Sequence, residues 1–267
     1  MELSISNLGW YKNEQELYSI MHKLGYTGLE IAPTKLFGDA PYEQLDRAAE
    51  WAEGLRKEYD ITVPSIQSIW YGRKEKLFRS EDEYRFLLDY TKKAVDFASA
   101  IKCGNLVFGC PAGRITFVES DYEKGKEFFR SLGDHAVSKN TCIGLEANPV
   151  IYKTNYINDT ASAISLIREI ASEGLKLNLD TGTMIENKEG VEMLAGCVKY
   201  FSHVHISEPF LAPIKQRSLH YELSSLLHEE GYSGAISIEM HALESISQTT
   251  EIMQYIREVF FYDSKRP

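Results

Sequence analysis

Leu175-Lys176-Leu177-Asn178-Leu179-Asp180, which ends on an acid and turns at Thr181-Gly182, is one of eight short strand-like runs spaced along the chain. Outward from it the others are Leu3 to Ser6, Gly28 to Ala32, Thr62 to Gln67, Asn105 to Gly109, Cys142 to Ala147, Phe201 to Ser207 and Ala235 to Met240. Longer amphipathic patterns lie between them, such as Asn13 to Leu24, Glu81 to Ile101, Tyr122 to Ser138, Thr160 to Ser172, Leu219 to Glu230 and Glu244 to Phe260. This alternation builds βα units and a parallel sheet. Gly25, Gly104, Gly174 and Gly231 each follow a helical run, where a C-terminal cap belongs. Eight strands alternating with about as many helices predict a closed (β/α)8 barrel. The first βα turn, Ser6-Asn7-Leu8-Gly9-Trp10, has no GxGxxG pattern, which disfavours a dinucleotide-binding sheet.

The bulk properties agree. A length of 267 residues suits one such barrel spanning residues 1–267, and no low-complexity linker divides it. With 43% apolar and 25% charged residues the chain can fill a sizeable core. Its net charge of −10 would repel a polyanion, so nucleic acid is not an expected partner. No apolar run is long enough to span a membrane, and Met1-Glu2-Leu3-Ser4 does not open a signal peptide. The expectation is a cytoplasmic protein with no membrane partner. Cys103, Cys110, Cys142 and Cys197 contain no CxxC pair and are read as reduced thiols rather than zinc ligands or disulfides.

In an α/β barrel the chemistry gathers at the carboxyl ends of the strands. Four consecutive runs end on candidate ligands: Glu146 in Leu145-Glu146-Ala147-Asn148, Asp180 in Leu179-Asp180-Thr181-Gly182, His205 in His203-Val204-His205-Ile206, and Glu239 in Ser237-Ile238-Glu239-Met240. Taken singly, each acid could be a charge solvated at a strand end; four equivalent positions together point to one shared ion. Three carboxylates and an imidazole suit one divalent ion such as Mn2+, Co2+, Mg2+ or Zn2+ rather than a thiophilic metal. His203 shares a strand face with His205 but sits one layer deeper, where a packed histidine is as good a reading as a substrate contact.

These four runs, with Gly231-Tyr232-Ser233-Gly234 leading into the last, resemble the closing strands of xylose-isomerase-like TIM barrels, a group that includes ketose 3-epimerases, hydroxypyruvate isomerase, inosose dehydratase and endonuclease IV. The resemblance implies that Glu146, Asp180, His205 and Glu239 hold the metal, and that Glu146 and Glu239 also transfer the substrate proton. Two positions depart from the ketose-epimerase pattern. Thr183 stands where those relatives have a histidine three residues after the strand-6 aspartate, and Leu211 where they have an arginine six residues after the strand-7 histidine. In the relatives both groups contact substrate, so a different substrate is implied. Endonuclease IV relatives need further strand histidines for a three-metal cluster, and only His203 and His205 fall on strand-like runs here.

The mouth is expected to draw further substrate contacts from Glu30, Gln67, Arg114, His203 and Trp70, each with a structural alternative. Lys35, Arg73, Lys74, Lys76, Arg114, Lys215 and Arg217 fall in segments after strands and make an anionic sugar derivative the expected partner, with homo-oligomerisation left open. The leading functional expectation is a metal-dependent isomerase or epimerase of a sugar or sugar derivative. The alternatives are a dehydratase using the same metal and bases, and a barrel that binds a sugar without turning it over.

Overall fold

The computed structural model describes residues 1–10 and 14–261, so the Asn13 start expected for the first helix lies outside the described residues. Among those residues, eight strands form one parallel sheet: β1 (Glu2–Ser6), β2 (Gly28–Glu30), β3 (Ser65–Ile66), β4 (Asn105–Phe108), β5 (Cys142–Leu145), β6 (Leu175–Asp180), β7 (Phe201–Ile206) and β8 (Ala235–Ile238). The order is β2-β1-β8-β7-β6-β5-β4-β3. Its two ends meet through the parallel bridges Gly28↔Thr62 and Ile31↔Ile66, which close the (β/α)8 TIM barrel.

The strands carry two kinds of side chain. Leu3, Ile5, Leu29, Ile66, Leu106, Phe108, Ile143, Leu145, Leu177, Leu179, Val204, Ile206, Ile236 and Ile238 are buried apolar residues in the layer between sheet and helices. The residues between them are small or polar, including Ser4, Ser6, Glu30, Ser65, Asn105, Asn178, His203, His205 and Ser237, all buried. His205 on β7 touches Glu30 on β2, and these strands are not neighbours in the sheet. That contact must cross the inside of the barrel, so the polar set fills its interior.

The outer ring consists of α1 (Glu14–Leu24), α2 (Pro33–Phe37), α3 (Leu45–Tyr59), α4 (Glu81–Ala100), α5 (Asp121–Ser138), α6 (Thr160–Ile170), α7 (Thr181–Asn187), α8 (Ser218–Glu229) and α9 (Ile246–Phe260). Capping residues start several of them. Ser80 accepts the Glu83 amide ahead of α4, and Asp159–Ser162 and Ser245–Gln248 form capping boxes for α6 and α9.

Some boundaries differ from the sequence expectation. The third run, expected over Thr62 to Gln67, pairs as a ladder only at Ser65–Ile66, because Pro64 has no N–H to donate. Gly25 and Gly231 do take positive φ (74° and 70°), but for α4 and α6 the left-handed residues are Lys102 and Ala171 (58° and 54°), not Gly104 and Gly174. Gly174 answers a different need: a Cβ there would lie 2.0 Å from the Gly133 carbonyl oxygen, so it lets the turn before β6 touch the backbone of α5. All four cysteines are free thiols. Among the described residues no helix is long and apolar enough to cross a membrane.

Candidate active site

Glu146 and Glu239 lie one residue beyond β5 and β8, each still tied to the neighbouring strand by its amide: Glu146 to the Phe108 carbonyl at 3.1 Å and Glu239 to the Ile206 carbonyl at 2.9 Å. Asp180 ends β6 directly opposite His205 of β7. The backbone ladder thus brings four strand ends together before any side chain is considered. Glu146 Oε2 lies 3.1 Å and Glu239 Oε2 3.2 Å from His205 Nδ1. Glu146, Asp180 and His205 offer ligand atoms that all lie within 4.8 Å of one another. Glu239 joins the set through its contact with the same His205 nitrogen.

Two of the three acids, Glu146 and Asp180, are held from the side. Glu146 receives the Asn148 amide on Oε1 (2.9 Å) and the Asn178 amide on Oε2 (2.8 Å). Gly109 leaves the room that its carboxylate needs, since a Cβ there would come within 2.7 Å of Glu146 Oε1. Asp180 caps α7, accepting the Thr183 amide at 2.8 Å and the Thr183 hydroxyl at 2.9 Å, while Ser207 donates to its other oxygen. Thr183, which replaces the histidine of the ketose-epimerase pattern, therefore fixes the neighbouring acid.

The electrostatics ask for a cation. Burial, together with the charges of Glu146 and Asp180, pushes the Glu239 carboxyl up to about 7, against the pull of His205. Burial and Glu146 likewise raise Asp180. Burial alone would lower the His205 imidazolium, but the charges of Glu30 and Glu239, with the hydrogen bonds it donates to Glu146 and Glu239, raise it well above its ordinary value. Buried carboxylates that repel one another this way must take up protons or a metal ion. Three oxygens and one imidazole nitrogen form a hard-to-borderline donor set, so a divalent ion fits the residues present.

The residues expected to line the mouth lie deeper than that. Glu30 is fully buried below His205, with Oε1 2.9 Å from Nε2 and the Ser65 hydroxyl donating at 3.0 Å. Arg114 is also fully buried, its Nη2 on the Glu146 carbonyl and Asn148 Oδ1, while its Nε and Nη1 have no hydrogen-bond partner among the described residues. His203 bonds Ser237 at 2.9 Å. Gln67 donates to Ser6 at 2.7 Å. Trp70 packs edge-on against Phe108 and donates to Thr91 at 2.8 Å, a core position rather than a wall for a sugar.

Other residues, not singled out from the sequence, complete the site. Asn178 stands two residues before Asp180 on the same face of β6, so the two-residue period was the signal that could have found it, whereas Asn148 and Ser207 lie beyond the ends of β5 and β7, where that period no longer applies. Tyr152 and Phe210 bridge the loops after β5 and β7: the Phe210 amide donates to the Tyr152 hydroxyl at 2.8 Å and their rings meet edge-to-face at 5.4 Å. Phe210 and Leu211 both adopt positive φ (59° and 53°), a strained conformation for non-glycine residues that marks this loop.

A family model described as xylose isomerase-like TIM barrel matches residues 19–259, and the chain belongs to that family. Solved structures similar to it include 3-keto-D-glucoside 4-epimerase from E. coli, at TM-score 0.75 and 17% identity over 96% of this chain and 99% of that one. D-psicose 3-epimerase from Clostridium cellulolyticum H10 has TM-score 0.75 and 16% identity over 98% and 99%. The probable 3-DHS dehydratase AsbF from Bacillus anthracis has TM-score 0.70 and 13% identity over 99% and 100%. No curated protein sequence matches significantly. At these identities the structural likeness speaks to the fold alone.

Proposed function

We propose that this protein is a metal-dependent isomerase or epimerase of a sugar derivative that moves a proton at the carbon beside a carbonyl. The observation that carries the reading is the approach of Glu146 and Glu239, from the two flanks of β7, to the single nitrogen His205 Nδ1. Glu146, Asp180, His205 and Glu239 would hold the ion. When bound, a divalent ion supplies a Lewis acid that polarises a carbonyl and acidifies the adjacent C–H.

The chain's own groups then do the rest. The Asn148 and Asn178 amides hold the Glu146 carboxylate in place to take a proton. Glu239, reaching His205 from the β8 side while Glu146 comes from the β6 side, would return a proton to the opposite face of that carbon. Thr183 and Ser207 immobilise Asp180, which keeps that acid out of the proton traffic. The small-molecule partner we propose is a ketose or keto-glycoside. Of the basic residues expected at the rim, Arg217 is engaged bidentately with Glu208, Arg114 is buried, and Lys35 donates to the Asn7 and Trp10 carbonyls, so the proposal of an anionic derivative leans on the exposed Lys74 and Lys215.

The test is to incubate the Mn2+-loaded protein with ketohexoses and 3-keto-glucosides in deuterium oxide. A product of unchanged mass, apart from deuterium at the carbon beside the carbonyl, is expected. Loss of water instead would assign the dehydratase reading, and turnover with the original hydrogen retained would remove the two-glutamate scheme.

A further inference from the structure

The buried carboxylate of Glu30 has no part in the chemistry above, yet it is placed with care. It ends β2, where Ser6 of β1 is its register partner, and it crosses the barrel interior to His205 on β7. Both of its oxygens face His205 Nε2, at 2.9 and 3.1 Å. Ser65 donates to Oε1 at 3.0 Å and is itself bonded by the Asn105 amide at 3.0 Å, so the carboxylate rests on a fixed floor. Glu30 and His205 are both completely buried.

A histidine that offers Nδ1 to a cation must carry its remaining proton on Nε2, and an acceptor there fixes both the tautomer and the ring plane. With both oxygens on Nε2, Glu30 is placed as that acceptor. Neutralising a buried histidine would take one carboxylate; here Glu30, Glu146 and Glu239 all surround one ring. The surplus is understandable if Glu30 orients the ring from behind while the other two face it from the front.

We infer that Glu30 is a positioning residue: by accepting the Nε2–H of His205 it turns Nδ1 toward Glu146, Asp180 and Glu239 and tightens the grip of that set on a divalent cation. This rests on the metal-dependent reading above. The rival assignment is that Glu30, His203 and His205, whose ligand atoms also lie within 4.8 Å of one another, bind a cation directly. Against it, His203 Nε2 already meets Ser237 at 2.9 Å, and all three side chains are closed off from solvent.

The test is calorimetric titration of metal-free protein with Mn2+, for wild type, Glu30→Gln, Glu30→Asp and Glu146→Gln, with thermal melts of each metal-free protein. Glu30→Gln keeps an acceptor but drops the charge; it should weaken Mn2+ binding roughly tenfold to a hundredfold, the usual effect of removing such a supporting partner. Glu30→Asp keeps the charge but withdraws it, and covers the case in which Glu30→Gln fails to melt cooperatively; it should weaken binding in the same direction. Unchanged Mn2+ affinity in the folded Glu30 variants would make Glu30 structural and overturn the inference alone. Binding abolished by Glu30→Gln but untouched by Glu146→Gln would make Glu30 a direct ligand and also overturn it. A wild type that takes up no Mn2+ would overturn the metal-dependent reading and this inference together.

Discussion

Glu239 and Glu146 are chemically the same residue at equivalent ends of β8 and β5, and their surroundings differ. Glu146 is held by two amides, whereas among the described residues Glu239 has His205 as its favourable partner and is pushed up to about 7 by burial and by its acidic neighbours. Replacing either with Gln keeps the size and removes the proton acceptor, so each variant should slow turnover by about 100-fold or more, as expected for acid–base groups. Gly109→Ala tests placement rather than chemistry. Its new Cβ would push against Glu146 Oε1, the far end of a flexible side chain, so the protein should melt near wild type while turnover falls on the order of tenfold to a hundredfold. Wild-type turnover in that variant would mean that the carboxylate position is not critical. The four candidate ligands could be read from the sequence because each ends a strand-like run. Depth could not. Glu30, Gln67 and Arg114 also stand at or just beyond strand ends, but a linear pattern does not say whether a side chain reaches up to the mouth or across the barrel to a partner 175 positions away, as Glu30 does with His205.

At the scale of elements, the strands and the long helices were legible because their patterns are long and regular. What was not legible depended on contacts between segments. β3 shrank around Pro64, and α7 begins directly on Asp180, where an acid serves as candidate ligand and helix cap at once. Gly174 looked like a cap but is a point of close approach. Gly174→Ala should therefore cost about 1–3 kcal/mol in chemical denaturation, as overpacking does. Gly54→Ala, inside α3 with nothing within 4 Å of the new Cβ, should instead stabilise by roughly 0.5–1 kcal/mol. Equal effects at the two sites would show that the tight approach at Gly174 is not real. The α8–α9 contact adds a pH dependence. His220 is buried beside Tyr255 (2.9 Å), and burial lowers its imidazolium to about 4. The unfolded chain would protonate it near 6.5 and the folded chain resists, so its contribution is intact above that pH and is lost as pH falls toward 4, by about 3 kcal/mol at most. Denaturation of wild type and His220→Gln across pH 7 to 4 should show a steeper fall for wild type; parallel curves would mean His220 can protonate without opening the contact.

For the whole molecule, the barrel closes around an interior that is polar from Ser4 and Ser65 up to the acids at the mouth, an unusual filling for a fold whose core is normally branched aliphatic. Such an interior is stable only when its donors and acceptors are matched and its charges are balanced. One divalent ion at the strand ends would supply the missing balance, so binding should raise the melting temperature, by the equivalent of about 2.7 kcal/mol when the free ion is a hundredfold above its Kd. The most direct measurement is anomalous diffraction from crystals of the protein loaded with Mn2+ or Co2+. One strong peak is expected about 2.0–2.3 Å from oxygens of Glu146, Asp180 and Glu239 and from His205 Nδ1. No peak at the strand ends, or a peak buried between Glu30 and His203 instead, would contradict it.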